Sequence, residues 1–306
     1  MTDRRAHLDL FAMVCLVGCA ALWGLNQTAT KIALAEIPPL LQAGVRSLCA
    51  AVLLAGWIIY KKLDLAPGEG HWAYTWRGGL LTGSLFAAEF ACIFIGLQYT
   101  TASRMVVFVY FSPLVVAAAM PLVAPQEKLH ARQVLGLLGA FAGLVWAFSE
   151  GFHTPTVGDK QWLGDALGAC AAVLWAGTTL SIRGSRLATA LPEQTLMYQL
   201  VISGVALAGA GWLSGELWPA QISALAWGSL AFQIVIVTFA SYLLWFWLVR
   251  HYAAATISAF TLLTPVFGLL FGVWLLNDPL TDRLLLALVA VAGGIGLVSW
   301  PRRDRT

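Results

Sequence analysis

The chain has 306 residues, of which 59% are hydrophobic and only 11% are charged, and it contains 14 tryptophans. No soluble domain of this length could bury so much apolar surface, so the composition excludes a soluble protein and indicates an integral membrane protein. The formal net charge of +3 says little about partners, because the position of each charge relative to the membrane matters more.

Ten apolar runs follow one another along the chain, and most are close to the roughly 20 residues that cross a bilayer as a helix. The polar links between them are too short for a folded soluble domain. We therefore predict an all-α membrane protein with a single transmembrane domain over residues 1–306. The ten predicted helices cover residues 9–32, 39–60, 76–98, 104–124, 132–149, 163–183, 194–214, 223–248, 254–276 and 283–300.

Lysines and arginines are distributed unevenly among the links. With the N-terminus placed in the cytoplasm, thirteen of them fall on the cytoplasmic side and four on the outer side. Positive charges favour the cytoplasmic face of a membrane protein, and ten spans return the chain to its starting side. We expect a multi-pass protein of the inner cell membrane with both termini in the cytoplasm.

The two halves of the chain are similar to each other. Trp23 corresponds to Trp175 and Pro113 to Pro265 at an offset of 152 residues, and Gly143 corresponds to Gly294 at an offset of 151. We predict a first repeat over 8–150 and a second over 160–301. Each repeat contains five spans, so equivalent residues enter the membrane from opposite sides. Inverted repeats are typical of secondary transporters, in which the binding site lies between the halves near the bilayer midplane.

Several segments also resemble a known family. They are the ALWG start of the first helix, the run SPLVV with PQEKLHARQVLGLLGAFAGL, and their second-half counterparts TPVFGLL and NDPLTDRLLLALVAVAGGIGL. Together they resemble the EamA family of the drug/metabolite transporter superfamily, and most of all its YddG-type branch of amino-acid exporters. The resemblance implies a basket of ten helices around a central cavity, with the fifth and tenth helices packed together away from it.

Small residues recur at equivalent places in the fifth and tenth helices. Gly139 and Gly143 form a small-xxx-small pair, and Ala290 and Gly294 repeat it. Such spacing lets two helix backbones approach closely within lipid. We interpret these residues as a helix-packing contact rather than a ligand site.

Two charged residues lie deep within predicted spans. Arg46 lies roughly 10 Å below the outer end of helix two, and Glu89 roughly 13 Å below that of helix three, at 1.5 Å per residue. We predict that they form a charge-assisted pair facing the cavity, because unpaired charges are costly at such depth. The pair either receives the carboxylate and ammonium of a zwitterionic substrate, with Glu89 as a possible proton carrier, or locks two helices together.

Helix one has a polar and aromatic face that contains Trp23, Asn26 and Gln27, and helix six has a similar face with Trp175 and Thr178. Such a face fits a water-filled cavity better than lipid, because amides bond amino and carboxyl groups and tryptophan stacks on aromatic or cationic ligands. Core packing or an interfacial belt is the alternative. Lesser candidates for the cavity are Tyr110, Tyr198, Gln199, Tyr242 and Phe260.

Two prolines lie within predicted helices four and nine, Pro113 and Pro265. Each removes a backbone hydrogen bond and permits a bend, so both are hinge candidates, with a static kink as the alternative.

The sequence contains no constellation for catalysis. All five histidines lie in links or at span ends, the five cysteines have no metal spacing, and no ATP-binding loop motif is present. We therefore expect no enzyme activity, no metal, no cofactor and no nucleic-acid partner. The expected function is alternating-access export of a small-molecule substrate, namely neutral or aromatic amino acids and related metabolites. The alternatives are export of drug-like cations or other metabolites, a channel, and a non-transporting structural protein.

Overall fold

The computed structural model describes residues 8–65, 72–100, 102–149, 159–276 and 282–299. Within these ranges the chain is helical. The α-helices are α1 (Leu10–Leu34), α2 (Pro39–Lys61), α3 (Trp72–Gly96), α4 (Ala102–Val109), α5 (Ser112–Val123), α6 (Ala131–Ala147), α7 (Gln161–Gly184), α8 (Pro192–Leu213), α9 (Ala224–Phe232), α10 (Tyr242–His251), α11 (Ala254–Ala259), α12 (Leu263–Leu276) and α13 (Asp282–Ser299).

Shorter helical elements join some of them. A π-helix over Gln233–Ser241 continues α9 directly into α10. Short 3₁₀ turns lie at Pro125–Glu127, Arg186–Ala188 and Phe260–Leu262. A π-helix is rare and is frequently found at functional sites, and this one packs on α1 and α2.

Helix length and apolarity agree with a multi-pass membrane protein. Seven of the described helical segments are long and apolar enough to cross a bilayer, and three further apolar helices are shorter. The seven are Leu10–Leu34, Pro39–Lys61, Ala73–Gly96, Arg104–Val123, Gln161–Gly184, Pro192–Leu213 and Ala224–His251, and the shorter ones are Ala131–Ala147, Ala254–Gly268 and Val289–Ser299. Each of these segments overlaps one of the predicted apolar runs, and three of them are shorter than a membrane span requires. The prediction of an all-helical membrane protein is confirmed.

Carboxylate side chains bind the free N–H groups at the starts of α1 and α2. Asp9 Oδ1 accepts the Ala12 N–H at 2.8 Å at the start of α1. The Glu216 carboxylate accepts the N–H groups of Leu40 at 3.3 Å and Leu41 at 2.8 Å at the start of α2. Carboxylates satisfy the free N–H groups of a first helical turn and complement its partial positive charge. Glu216 thereby attaches the link after α8 to the start of α2.

Both prolines of the hinge prediction lie just after an interruption of a helix. Pro113 is the second residue of α5, behind the break after α4, and Pro265 is the third residue of α12, behind the 3₁₀ turn. Proline has no N–H to donate and clashes with the preceding turn, which accounts for a break at this place. Each proline therefore begins a new helical segment instead of kinking a continuous helix.

Helices at equivalent positions of the two halves pack on each other and run antiparallel. A Cβ atom at Gly44 of α2 would lie 2.5 Å from the Ala208 backbone N of α8, and one at Gly204 of α8 would lie 2.7 Å from Leu48 Cγ of α2. The residue numbers thus increase in opposite directions along this contact. Only glycine allows so close an approach of the two backbones.

The α6–α13 contact follows the same antiparallel pattern. A Cβ atom at Gly136 would lie 2.6 Å from Leu297 Cβ, and one at Gly143 would overlap Ala290 Cβ. Gly294 meets the Gly136 carbonyl oxygen. Gly139 differs from the sequence-based prediction, since a Cβ atom there would meet nothing within 4 Å. The contact uses Gly136 instead, because that residue lies on the face of α6 turned toward α13.

Candidate functional site

A cavity of about 190 Å³ lies in the middle of the bundle. One buried water needs roughly 10–15 Å³ on the same measure, so the cavity has room for a small organic molecule. Its lining comes from α1, α3, α4, α7, α8 and α10. Nine of the twelve predicted cavity residues line it, namely Trp23, Asn26, Gln27, Glu89, Tyr110, Trp175, Thr178, Gln199 and Tyr242.

Eight aromatic residues line the cavity, and several of their rings contact one another. Trp23 meets Tyr242 edge to face with ring centroids 5.9 Å apart, and it meets Trp245 at 5.2 Å. Trp175, the repeat equivalent of Trp23, meets Tyr110 in the same way at 5.7 Å. Edge-to-face contacts hold these rings in fixed orientations, and each tryptophan–tyrosine pair joins a residue of the first half of the chain to a residue of the second.

The indole of Trp23 is also fixed by a hydrogen bond. Its N–H donates to Ser241 Oγ at 2.8 Å, and the Ser241 hydroxyl donates to the Val237 carbonyl at 2.6 Å. Ser241 is the last residue of the π-helix. The π-helix therefore positions Trp23, whose ring face, rather than its N–H, is left for a ligand.

Several polar atoms that border the cavity are buried without a hydrogen-bond partner. They are Asn26 Oδ1, Glu89 Oε2, and both amide atoms of Gln199. Thr178 differs, because its hydroxyl already donates to the Leu174 carbonyl at 3.1 Å. Buried polar atoms in proteins are nearly always hydrogen-bonded, so a group of unpaired ones around a cavity marks the atoms that a polar ligand can satisfy.

Arg46 differs from its predicted position. Its guanidinium is buried one layer behind the cavity wall, 4.5 Å from the ring centroid of Phe90, and Arg46 is not among the lining residues. Arg46 Nε and Nη2 and Glu89 Oε2 have no hydrogen-bond partner, so the predicted charge-assisted pair is not formed between these atoms. Phe90 lies on the same helix as Glu89 and lines the cavity, so its ring separates the Arg46 guanidinium from the cavity.

Two further predicted residues lie outside the cavity. The Tyr198 ring packs on Gly79 of α3, and its hydroxyl is 3.2 Å from Thr75 Oγ1, which binds α8 to α3. Phe260 is 4% exposed and belongs to the hydrophobic core. Both are aromatic residues at helix–helix contacts, which a sequence pattern does not distinguish from cavity residues.

The lining carries one carboxylate, Glu89, and within the described ranges no lysine, arginine or histidine. The same ranges contain no group of three or more histidine, cysteine, aspartate or glutamate side chains able to hold a metal ion. The cavity is therefore an apolar and aromatic chamber with one acidic group and several neutral amides. Such a surface suits a ligand with an ammonium group and an aromatic or aliphatic body.

A buried polar network closes one end of the bundle, hereafter the Arg183 end. Arg183 Nε lies 3.5 Å from Glu127 Oε1, and the Arg183 guanidinium also donates to the Tyr252 carbonyl. Glu127 Oε2 accepts the Ala254 N–H at 2.7 Å, and the Tyr252 hydroxyl donates to Asp9 Oδ2 at 2.9 Å. The network joins the start of α1 and the ends of α5, α7 and α10 to the start of α11.

A second ion pair lies toward the opposite end, hereafter the Leu34 end, where α1 and α3 finish. The Arg104 guanidinium binds the Asp165 carboxylate, with Nε 3.0 Å from Oδ1, and the Thr100 hydroxyl donates to the same oxygen at 2.7 Å. This pair connects the start of α4 to α7. The cavity lining reaches Leu34 and Leu97 at this end.

Sequence reasoning missed part of this site. Phe86, Phe90, Trp245 and Phe246 line the cavity, yet they belong to continuous apolar runs in which no periodicity singles them out. The Arg183 network was missed as well, because its members come from links and helix ends far apart in sequence.

The helices, the cavity and its unpaired polar atoms define a multi-pass membrane protein built to hold a small molecule within the bundle. The family model of the EamA-like transporter family matches the chain twice, over residues 10–149 and 162–300. The chain belongs to this family.

Named relatives agree with that assignment. The chain is 30% identical to the uncharacterized transporter YvbV of Bacillus subtilis strain 168, covering 91% of this chain and 88% of that protein. It is 24% identical to the probable amino-acid metabolite efflux pump of Escherichia coli K12, covering 90% of each chain. A crystal structure with 18% identity superposes with a TM-score of 0.76 over 94% of this chain and 96% of its own, and so has the same fold.

Proposed function

We propose that this protein is a secondary transporter that exports neutral and aromatic amino acids and related small metabolites by alternating access. In this proposal ten helices cross the inner membrane as two inverted five-helix repeats, 8–150 and 160–301, and both termini face the cytoplasm. Residues 1–7 and 300–306 lie outside the described residues, so the sidedness depends on the charge distribution of the links.

Three features support the inverted arrangement. The family model matches each half separately. Helix boundaries recur at the repeat offset, since α4 begins at Ala102 and α11 begins at Ala254, each followed by an interruption and a proline. The equivalent helices α2 and α8 run antiparallel where they pack. Helices interrupted at equivalent places in two halves are a common feature of transporters.

The observation that carries the substrate proposal is the Glu89 carboxylate within an aromatic cavity, whose Oε2 atom has no hydrogen-bond partner. Glu89 is 6% exposed, and its Oε2 has no partner, so an ammonium group would supply the missing hydrogen bond. Asn26 and Gln27 line the cavity with amides, a group that can donate to a carboxylate, and the surrounding rings suit an apolar side chain. The name of the Escherichia coli relative also favours amino-acid metabolites.

A second substrate class is favoured by a separate observation. Within the described ranges no cationic side chain lines the cavity, so a substrate carboxylate would have only neutral donors. Amines and drug-like cations that lack a carboxylate would avoid this disadvantage.

Reconstitution in proteoliposomes tests the proposal. Labelled tryptophan, phenylalanine and their decarboxylated amines should show saturable uptake and counterflow, with Glu89→Gln reducing uptake at least tenfold. The matched control is Glu193→Gln in the first turn of α8, which does not line the cavity and should transport normally. A conductance that does not saturate would indicate a channel, and the absence of any flux would indicate a structural role. Either result would refute the proposal.

The same assay addresses coupling and hinges. Export driven by a proton gradient through Glu89 should lose its response to the gradient in Glu89→Gln.

If Pro113 and Pro265 are hinges, replacing each by alanine should slow transport without weakening substrate binding. Unchanged rates in both variants would leave the prolines as static helix starts.

A further inference from the structure

Gln199 is a buried amide for which the bundle provides no partner. It lies on α8, is 0% exposed, and borders the cavity, yet neither its Oε1 nor its Nε2 has a hydrogen bond. By contrast, Gln194 one turn earlier donates to Thr75 Oγ1 at 2.7 Å. A buried amide with both ends unpaired destabilises the protein unless a ligand or water completes it, so Gln199 is a candidate for substrate recognition.

The height of Gln199 in the cavity follows from the packing of α8 on α3. A Cβ atom at Gly83 of α3 would lie 2.8 Å from Ile202 Cβ of α8, and a Cβ atom at Gly79 would overlap the Tyr198 ring. The residue numbers therefore increase in the same direction along both helices. Gln199 is three residues before Ile202, and Glu89 is six residues after Gly83, which separates their levels by about 13.5 Å at 1.5 Å per residue.

The side chains of Glu89 and Gln199 are separated along the bundle by about the same distance as their backbones. Side chains of a helix lean toward its N-terminus, and α3 and α8 have their N-termini at the same end of the bundle. Glu89 and Gln199 thus lean in the same direction. The cavity has two polar levels, an acidic one at Glu89 and a neutral amide one nearer the Arg183 end, and aromatic residues such as Phe86 and Trp175 lie between them.

This spacing constrains the ligand. Two hydrogen bonds of roughly 2.8 Å each leave about 8 Å between the ligand's own polar groups. The ammonium and carboxylate of an α-amino acid are attached to one carbon and lie only about 3 Å apart, so they cannot reach both levels. A para-hydroxyl on a phenylethylamine skeleton lies about 8 Å from the amine nitrogen by standard bond lengths and fits.

We propose that Gln199 determines specificity by hydrogen-bonding a polar group at the distal tip of an aromatic substrate whose ammonium binds Glu89. The substrate class is therefore aromatic amino acids and amines with a hydroxyl or N–H at the ring, of which tyrosine and tyramine are the simplest. A primary amide both donates and accepts, as a phenolic hydroxyl does. This inference rests on the proposed transport function and adds the feature that selects among its substrates.

A matched pair of substrates tests the inference in the unmodified protein. Tyrosine against phenylalanine, and tyramine against phenylethylamine, differ only by the hydroxyl, and kcat/KM for counterflow should favour the hydroxylated member by roughly 10-fold or more. Gln199→Leu should bring the kcat/KM ratios of tyrosine to phenylalanine and of tyramine to phenylethylamine close to one, whatever the absolute rates. Gln98→Leu, an exposed glutamine just beyond α3, is the control that should keep the preference.

The outcomes separate this inference from the proposed function. Equal transport of both members by the unmodified protein would overturn the role of Gln199 and leave the transporter proposal standing, whereas transport of neither member would overturn both. A preference that persists in Gln199→Leu would show that another group binds the hydroxyl. Equal wild-type rates would refute the role of Gln199 even where the variant does not fold.

Discussion

Alanine at Gly294 should disrupt the contact between α6 and α13, whereas alanine at Gly293, the adjacent residue, should not. A Cβ atom at Gly294 would overlap the Gly136 carbonyl oxygen and lie 2.7 Å from Ala140 Cβ. A Cβ atom at Gly293 would meet nothing within 4 Å. Backbone atoms cannot turn away as a flexible side chain does, so the first substitution must move a helix.

The magnitude follows from two contributions to the free energy of unfolding. Alanine in place of glycine favours a helix by roughly 0.5–1 kcal/mol, and this gain is common to both variants. Overpacking costs about 1–3 kcal/mol and applies only to Gly294→Ala. The difference between the two variants should therefore equal the overpacking cost.

Thermal unfolding of the purified protein in detergent, followed by tryptophan fluorescence, measures the effect. We expect Gly294→Ala to unfold at a lower temperature than the wild type, and Gly293→Ala to unfold at the same or a slightly higher temperature. Equal unfolding midpoints for the two variants would refute the close approach of the two helices. A Gly136→Ala variant should resemble Gly294→Ala, because its Cβ atom would lie 2.7 Å from the Gly294 carbonyl oxygen.

Two further predictions concern charged groups at the ends of the bundle. Glu127→Gln removes the carboxylate beside Arg183, whose side chain is 1% exposed, and should lower the free energy of unfolding by about 3 kcal/mol. Asp165→Asn breaks the Arg104–Asp165 pair, whose side chains are 14% exposed, and should cost less. Equal losses in denaturant titrations would contradict the role given to burial. Hydrogen bonds from the hydroxyl and then the backbone N–H of Ser223 lower the pKa of Glu36 below its ordinary value, so this contact stabilises the fold above about pH 4.5 and is lost as the pH falls. The excess stability of the wild type over Glu36→Gln should therefore shrink between pH 7 and pH 3.5, and a constant difference would exclude this linkage.

The candidate site was only partly predictable from the chain. Trp23 and Asn26 were recognised because polar and aromatic residues recur at helical spacing within an apolar run, where such groups are costly unless they face water. Arg46 and Glu89 were recognised as charges at equal depth. The depth of a residue along its helix follows from the local sequence, but the direction of its side chain depends on how the helix packs. Arg46 therefore lies behind Phe90 instead of in the cavity.

Some features of this protein follow from its sequence alone and others only from its tertiary structure, and the difference has a physical reason. Apolar run length and the 152-residue offset by themselves determined an all-helical membrane protein with two similar halves, because each follows from the solvent or from local sequence. Only the packed bundle decided that Gly136 rather than Gly139 meets α13, that Ser241 fixes the Trp23 indole, and that Gln199 has no partner. Those facts depend on how helices rotate about their axes and which distant residues they meet, and contacts of this kind have no signature in any one segment of the chain.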